Sequence, residues 1–104
     1  MSGSGLETRL HFRDEDLRRF CRKRRIRRLA FFGSVLREDF RPESDVDVLV
    51  EFEPGATPGL EFIRISEELS QLLGGRRVDL VTEKFLSPLL RESVLAEANV
   101  RYAA

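Results

Sequence analysis

The sequence predicts one small domain of the α/β or α+β class. Its length of 104 residues fits a single hydrophobic core. Short apolar runs of strand length alternate along the chain with segments whose apolar residues recur at helical spacing. Glycine, proline and serine separate these segments. Together these observations predict the element order αβαβαβαβ.

The first helix and the first strand are predicted between Asp14 and Phe32. The segment from Asp14 to about Arg24 begins with acids and ends with bases, which is the arrangement that the helix dipole favours. Its apolar stripe consists of residues spaced i, i+3 and i+4, namely Leu17, Phe20 and Cys21. The run Ile26–Phe32 has apolar residues on both faces and therefore predicts a buried strand.

A glycine and a serine end this strand. Gly33 and Ser34 open a short helix to about Glu38, and the proline-containing segment Asp39–Ser44 predicts a loop. In Asp45–Glu53, apolar residues alternate with carboxylates, which predicts a strand with one apolar face.

The same order of helix and strand continues along the rest of the chain. A helix begins near Thr57, a residue type that caps helices well, and ends at Gly74-Gly75. A strand, a helix and a short edge strand are then predicted at Arg77–Thr82, Ser87–Ala98 and Val100–Tyr102.

Composition sets expectations for domain organisation and location. We expect residues 1–13 to be a flexible N-terminal lead and residues 14–104 to form the single domain. No apolar run approaches the roughly 20 residues that a transmembrane helix needs. The single cysteine, Cys21, excludes an internal disulfide and suits a reducing compartment. We therefore expect a cytoplasmic protein that does not bind membranes.

Two aspartates stand at the start of the alternating strand. Asp45 and Asp47 are two residues apart, so on a strand they point to the same face with Cα atoms about 7 Å apart. Mg²⁺ prefers carboxylate oxygens, and two carboxylates placed in this way can reach a pair of metal ions. Acids are also common after a loop, and in that alternative the pair is an ordinary strand start.

A third aspartate and the glycine–serine turn strengthen the metal hypothesis. Asp79 lies among apolar residues of a predicted strand, where a buried acid is costly unless it is paired or bound to metal. It can bind a metal ion, accept a proton from an attacking hydroxyl, or pair with Arg76 or Arg77. Gly33 and Ser34 allow close backbone approach to an anion. Together these residues predict a site for a nucleoside triphosphate.

Three further polar residues are candidates for phosphate binding. Ser34 offers its hydroxyl and N–H to a phosphate, or acts as a helix N-cap. Arg37 lies one helical turn further on and can reach a phosphate, or pair with Glu38 or Asp39. Ser44 orients the loop ahead of the aspartates, or caps a turn.

Eight of the eleven residues from Arg18 to Arg28 are basic. A basic run is typical of nucleic-acid binding, but this one is short of interleaved aromatics and matches no major-groove motif. A solvated face, or a docking surface for an acidic partner, is the preferred interpretation. The single histidine, His11, has no companions for a zinc site, and Cys21 is most simply a core residue.

The chain resembles the minimal nucleotidyltransferases of the DNA polymerase beta-like superfamily. The residues that carry the resemblance are Gly33-Ser34, Arg37, the segment Ser44-Asp45-Val46-Asp47 and Asp79. The resemblance covers the chain from about Asp14 to Ala98. One position departs from the common pattern, because Glu38 follows Arg37 where a glycine is usual.

The resemblance implies a short mixed sheet flanked by helices and Mg²⁺-dependent transfer of AMP, or another nucleoside monophosphate, from the triphosphate. It implies that Asp45 and Asp47 bind the metal ions, two being expected, and that Asp79 completes the catalytic and metal-binding triad. It also implies that Gly33 and Ser34 hold the phosphates, with Arg37 and Ser44 as further nucleotide-binding candidates.

The partner implied by the resemblance is a HEPN-domain ribonuclease toxin. Small members of the family are antitoxins that neutralise such a toxin by binding it and by attaching AMP to one of its tyrosines. We therefore predict an ATP-dependent antitoxin enzyme. The alternatives are an antitoxin that acts by complex formation alone, or a nucleic-acid-binding module that uses the Arg18–Arg28 run. A homo-oligomer and a hetero-oligomer both remain open.

Overall fold

The structure is a computed structural model that describes residues 10, 12–36, 45–56, 59–83 and 86–103, with the backbone alone at residues 34, 36 and 90. Its helices and strands follow each other in the order that the sequence predicts. The helices are α1 (Asp14–Lys23), α2 (Glu61–Leu72) and α3 (Pro88–Glu97), and Gly33–Leu36 is a short 3₁₀ helix. The strands are β1 (Ile26–Phe32), β2 (Val46–Phe52), β3 (Val78–Thr82) and β4 (Asn99–Ala103).

The strands form one mixed sheet in the order β3-β2-β1-β4. β1 pairs antiparallel with both β2 and β4, whereas β2 and β3 are parallel. This arrangement confirms the small mixed sheet flanked by helices. Within the described residues, β3 and β4 are therefore the edge strands.

One face of the sheet forms the hydrophobic core together with α1 and α2. Alternate residues of β2, namely Val46, Val48 and Val50, are at most 1% exposed. They belong to the same buried cluster as Ile65 and Leu69 of α2. Because buried apolar surface stabilises by about 25 cal/mol per Å², this face is the main source of folding free energy.

The core extends beyond the N-terminus of α1. Leu10 is 2% exposed, and the ring centroid of Phe12 lies 5.7 Å from that of Phe31. The Arg101 guanidinium lies over the Phe12 ring at 5.3 Å from its centroid. Leu10 and Phe12 fall within the predicted lead of residues 1–13, so the hydrophobic core reaches into that segment.

An ion-pair cluster joins α1 to α2. Glu68 of α2 accepts hydrogen bonds from Lys23 (3.0 Å) and Arg24 (2.6 Å). Burial by itself would raise the pKa of Glu68, but the hydrogen bonds and positive charges of Lys23 and Arg24 outweigh it, so the pKa lies below its usual value. The cluster fixes the two helices side by side on the core face.

Two glycines end α2, as the sequence predicts. Gly74 and Gly75 both have φ of +84°, in the left-handed region that favours glycine. The Gly75 N–H donates to the carbonyl of Ser70 at 2.8 Å, which closes the helix end. The chain then enters β3 beside β2.

None of the helices in the described part of the chain is long and apolar enough to cross a membrane.

Candidate active site

Two of the three candidate aspartates lie side by side on neighbouring strands. β2 and β3 are parallel and in register, and Asp47 is the partner of Asp79. Neighbouring strands are about 4.8 Å apart, and residues in register point to the same face of the sheet. Phe32 of β1 lies opposite Asp47 on its other side. The acidic row, which consists of Phe32, Asp47 and Asp79, therefore crosses three strands on the face away from the core.

The expected burial of Asp79 was wrong. Its strand is an edge strand, and Asp79 itself is exposed while its neighbour Leu80 is 7% exposed. The apolar residues that flank Asp79 in the sequence belong to the alternate positions of a strand with one buried face. Asp79 therefore meets the solvent without the cost of burying a charge.

Asp45 lies immediately before β2 and forms an ion pair with Arg77. Its Oδ1 is 3.3 Å from the Arg77 Nε, and the two side chains are 53% and 80% exposed. The reason is the parallel register, in which Val46 pairs with Val78, so that the residues preceding them lie side by side. The Val46 N–H also donates to the Arg77 carbonyl at 2.8 Å.

The sequence indicates Arg77 only as a partner for Asp79, so it does not predict this ion pair with Asp45. The signal that could have revealed it is that Arg77 precedes its strand by one residue, as Asp45 does. Within the described residues, no three Asp, Glu, His or Cys side chains come together closely enough to form a metal site. The structure thus aligns Asp47 with Asp79 and holds Asp45 against Arg77.

Gly33 lies directly against the Asp47 carboxylate. A Cβ on Gly33 would collide with the Oδ2 of Asp47 and would approach its Cγ to 3.1 Å. The φ of Gly33 is +78°, which a residue with a side chain rarely adopts. Both the backbone and the contact therefore require glycine, and they place the turn after β1 next to the acidic row.

The remaining nucleotide-binding candidates are only partly described. Ser34 lies in the 3₁₀ helix that begins at Gly33, which places its backbone beside the acidic row. Arg37 and Ser44 lie outside the described residues, so their phosphate roles stay predictions. The short helix predicted to Glu38 is described as far as Leu36.

The donor set fits a hard divalent cation. Asp47 and Asp79 contribute carboxylates to the row, and carboxylate oxygens are the ligands that Mg²⁺ selects. Asp45 lies two residues before Asp47, on the same face by the period of a strand. Because Gly33 has no side chain, the Asp47 carboxylate occupies the space that a Cβ at position 33 would fill. The residues present are thus compatible with metal binding.

Cys21 does not belong to this site. Its side chain is fully buried in the core cluster, and burial raises the pKa of its thiol to about 12. The structure therefore confirms Cys21 as a core residue. His11 lies outside the described residues.

The cations of the basic run Arg18–Arg28 differ in whether they pair with an acid. Four of its eight cations pair with acids: Arg19 with Glu15, Lys23 and Arg24 with Glu68, and Arg25 with Glu53. Among the described residues, half of these cations are thus paired within the fold, and Lys23 and Arg24 share one carboxylate; this pairing favours the solvated face.

Comparison with known proteins identifies the domain that carries the acidic row. Residues 14–100 match the model of the nucleotidyltransferase domain family. The chain belongs to this family. The protein adenylyltransferase MntA of Thermococcus cleftensis is 42% identical over 73 residues, which cover 69% of this chain and 71% of that one. The chain is therefore an enzyme of the nucleotidyltransferase class.

Solved structures share the nucleotidyltransferase fold. A structure described as a minimal nucleotidyltransferase superposes with a TM-score of 0.73 at 44% identity, over 94% of this chain and 97% of that one. A toxin–antitoxin complex with AMP-PNP gives a TM-score of 0.69 at 18% identity, over 89% and 75% of the two chains. A complex of the tri-AMPylated Shewanella oneidensis HEPN toxin with its MNT antitoxin gives 0.61 at 17% identity, over 95% and 73%. The last two similarities are similarities of fold.

Proposed function

We propose that this chain transfers AMP from ATP to a hydroxyl group, namely a tyrosine of a HEPN-domain toxin, and acts as its antitoxin in the cytoplasm. The observation that carries the proposal is the register of Asp47 with Asp79, with Gly33 packed against the Asp47 carboxylate. The name of the Thermococcus relative and the AMP-PNP and HEPN-toxin complexes of the fold neighbours support the choice of nucleotide and partner.

Asp45, Asp47 and Asp79 would hold Mg²⁺ in this proposal. When bound, Mg²⁺ ions stabilise the negative charge that develops on the attacking and leaving oxygens of a phosphoryl transfer. Asp45 would exchange the Arg77 guanidinium for metal, and both partners are exposed enough to separate at little cost, since exposed ion pairs contribute about 0–1 kcal/mol.

The reaction itself requires positioning and a place for one proton. The acceptor oxygen forms a bond to the α-phosphorus while the bond from that phosphorus to the bridging oxygen breaks, and pyrophosphate leaves with the electron pair. The hydroxyl proton passes to a carboxylate, and the exposed Asp79 is a candidate for this role. The turn at Gly33 and Ser34 would hold the triphosphate next to this carboxylate.

The exposure of the site's carboxylates supports a protein as the acceptor, because a protein can cover the site with its own surface. Among the described residues, the Asp79 side chain on an edge strand is exposed and the Asp47 side chain on the adjacent strand is half-buried. A bound partner protein would cover the row, exclude water and place its hydroxyl, which favours a macromolecular acceptor over a free small molecule.

Transfer of label from α-labelled ATP tests the proposal. The chain is incubated with Mg²⁺ and with the HEPN-domain protein encoded beside it, and the label on each protein is measured. We expect label on a tyrosine of the partner, and we expect Asp45→Asn to abolish it. Glu51→Gln is the matched control, because Glu51 lies on the same strand further from Gly33 and should leave transfer unchanged.

Two outcomes would contradict the proposal in different ways. Equal labelling by wild type and Asp45→Asn would contradict the proposed role of Asp45 as a metal ligand. Suppression of the partner's ribonuclease activity without any label would make the chain a binding antitoxin on an enzyme fold.

A further inference from the structure

The two sides of α1 differ in how their positive charges are neutralised. Lys23 and Arg24 lie on the side toward α2 and bind Glu68. Arg18 and Arg22, one helical turn apart, lie on the side toward β4, where they line a groove of about 400 Å³. In the part of the chain that the structure describes, neither Arg18 nor Arg22 forms an ion pair or a hydrogen bond through its side chain.

The other wall of this groove is the edge strand β4. Val100, Arg101 and Tyr102 line it, and Val100 is 49% exposed. Arg101 and Asp14, also in the groove, neutralise each other through an ion pair of 2.9 Å. Among the described residues that line the groove, the net charge that remains is therefore that of Arg18 and Arg22.

The outer edge of β4 has no strand partner among the described residues. A strand edge presents backbone N–H and C=O groups that pair readily with an extended segment of another chain. The groove thus combines three features, namely a backbone edge, one exposed apolar side chain and two positive charges.

Strand β4, which lines the groove, begins near the end of the sheet that carries Asp47. Asn99, the first residue of β4, lies opposite Phe31, and the next residue of β1, Phe32, lies opposite Asp47. β4 and β2 are separated by β1 alone, which is about 10 Å at ordinary strand spacing. A segment bound along β4 would therefore have one end close to the acidic row.

We propose that this groove docks an acidic, extended segment of the acceptor protein, which adds to β4 as a further strand and contacts Arg18 and Arg22. This inference rests on the proposed function, because the segment belongs to the protein that receives AMP. The positive charges of Arg18 and Arg22 favour an acidic segment. The strand edge and the exposed Val100 favour a polypeptide over a nucleic acid. Docking there would deliver the acceptor hydroxyl to Asp47 and Asp79.

Binding of the HEPN-domain partner to charge-reversal variants tests the groove. Arg18→Glu/Arg22→Glu should weaken the Kd about tenfold or more at low salt, and the wild-type affinity should fall as salt rises. Arg27→Glu/Arg64→Glu is the matched control, because it changes the net charge equally at exposed positions outside the groove. Thermal unfolding of each variant should match that of the wild type.

Hydrogen exchange tests the strand addition separately. In the complex, the amides of residues 99–103 should become protected. Unchanged exchange there, or a Kd of Arg18→Glu/Arg22→Glu within threefold of wild type, would overturn the docking proposal. Tight binding of a labelled oligouridylate that this variant loses would assign the groove to nucleic acid instead and would also overturn it.

The outcomes separate this inference from the proposed function. Normal binding by Arg18→Glu/Arg22→Glu with persistent AMP transfer would contradict the docking proposal and support the proposed enzymatic function. Binding that depends on Arg18 and Arg22 but is not followed by AMP transfer would support the docking proposal and contradict the proposed enzymatic function. Absence of any binding by the wild-type chain would overturn both.

Discussion

The two faces of β2 have opposite surroundings although their residues alternate along one strand. Val46, Val48 and Val50 are at most 1% exposed and belong to the core with α1 and α2. Asp47 points to the other face, beside Asp79 and under Gly33. Asp47 thus lies one residue away from the buried Val46 and Val48, while Leu49, the next residue on its own face, is also buried at 5% exposed.

This contrast teaches that the two kinds of residue can be changed independently. The core face contributes through apolar burial, which any loss of volume weakens. The other face carries the negative charge of the half-buried Asp47. Substitutions on one face should therefore leave the property of the other face intact.

The largest effect is expected for Asp47→Asn on the acidic face. The substitution keeps the shape but removes the charge that would hold metal, so AMP transfer should fall about a thousandfold. The free energy of unfolding should change by less than about 1 kcal/mol. Label transfer and denaturant unfolding measure the two quantities. A large loss of stability would show that Asp47 also serves the fold, and would break the comparison.

Phe31→Ala is the corresponding change on the core face. Phe31 is fully buried, and truncation of such a residue costs about 3–5 kcal/mol, a large part of a typical total of about 5–15 kcal/mol. Urea denaturation should show this loss, whereas Ile63→Ala, at a side chain 65% exposed, should cost far less. Similar midpoints for the two variants would contradict the assignment of the core.

Gly33→Ala should affect both properties and so sharpen the boundary between the faces. The new Cβ collides with the Asp47 carboxylate, and displacement of a catalytic group by about 1 Å can cost a hundredfold in rate. The positive φ adds a strain of about 1–2 kcal/mol.

Gly55→Ala is the matched control for this prediction. Gly55 has a φ of +82°, but a Cβ there meets no atom within 4 Å. It should lose similar stability and keep full transfer activity. If both variants are equally active, the contact between Gly33 and Asp47 has no catalytic consequence.

The smallest effect is expected for Glu68→Gln, which lies away from both faces of β2. Because the pKa of Glu68 is lowered in the folded state, its contribution to stability is present above its usual pKa of 4.5 and is lost as the pH falls below it. The wild type should therefore lose more stability than Glu68→Gln between pH 6 and about pH 3. Parallel pH profiles of the two proteins would contradict the role of the cluster with Lys23 and Arg24.

Local patterns predicted much of the fold. The alternation in residues 45–53 predicted the two faces of β2, the i, i+3, i+4 stripe predicted the buried side of α1, and Gly74-Gly75 predicted the end of α2. These features depend on residues close in the chain, whose backbone geometry fixes which way each side chain points. The burial of Cys21 followed from the same stripe.

The position of Asp79 shows where local patterns fail. Its apolar neighbours suggested a strand buried on both faces, but a strand's exposure depends on its place in the sheet, and β3 is at the edge. In the same way, Leu10 and Phe12 lie in a segment with little pattern of its own, yet Leu10 belongs to the buried core cluster and Phe12 contacts Phe31 of β1 and Arg101 of β4.

Local patterns in the chain are enough to predict the order of helices and strands, the apolar face of β2 and the motif of Gly33, Asp45, Asp47 and Asp79. The tertiary structure decided that Asp47 is in register with Asp79, that Arg77 pairs with Asp45, and that Arg18 and Arg22 face an open strand edge. The two sets of features differ because side-chain direction follows from the dihedral angles of neighbouring residues. Strand order and register depend instead on contacts between residues that are distant in the chain.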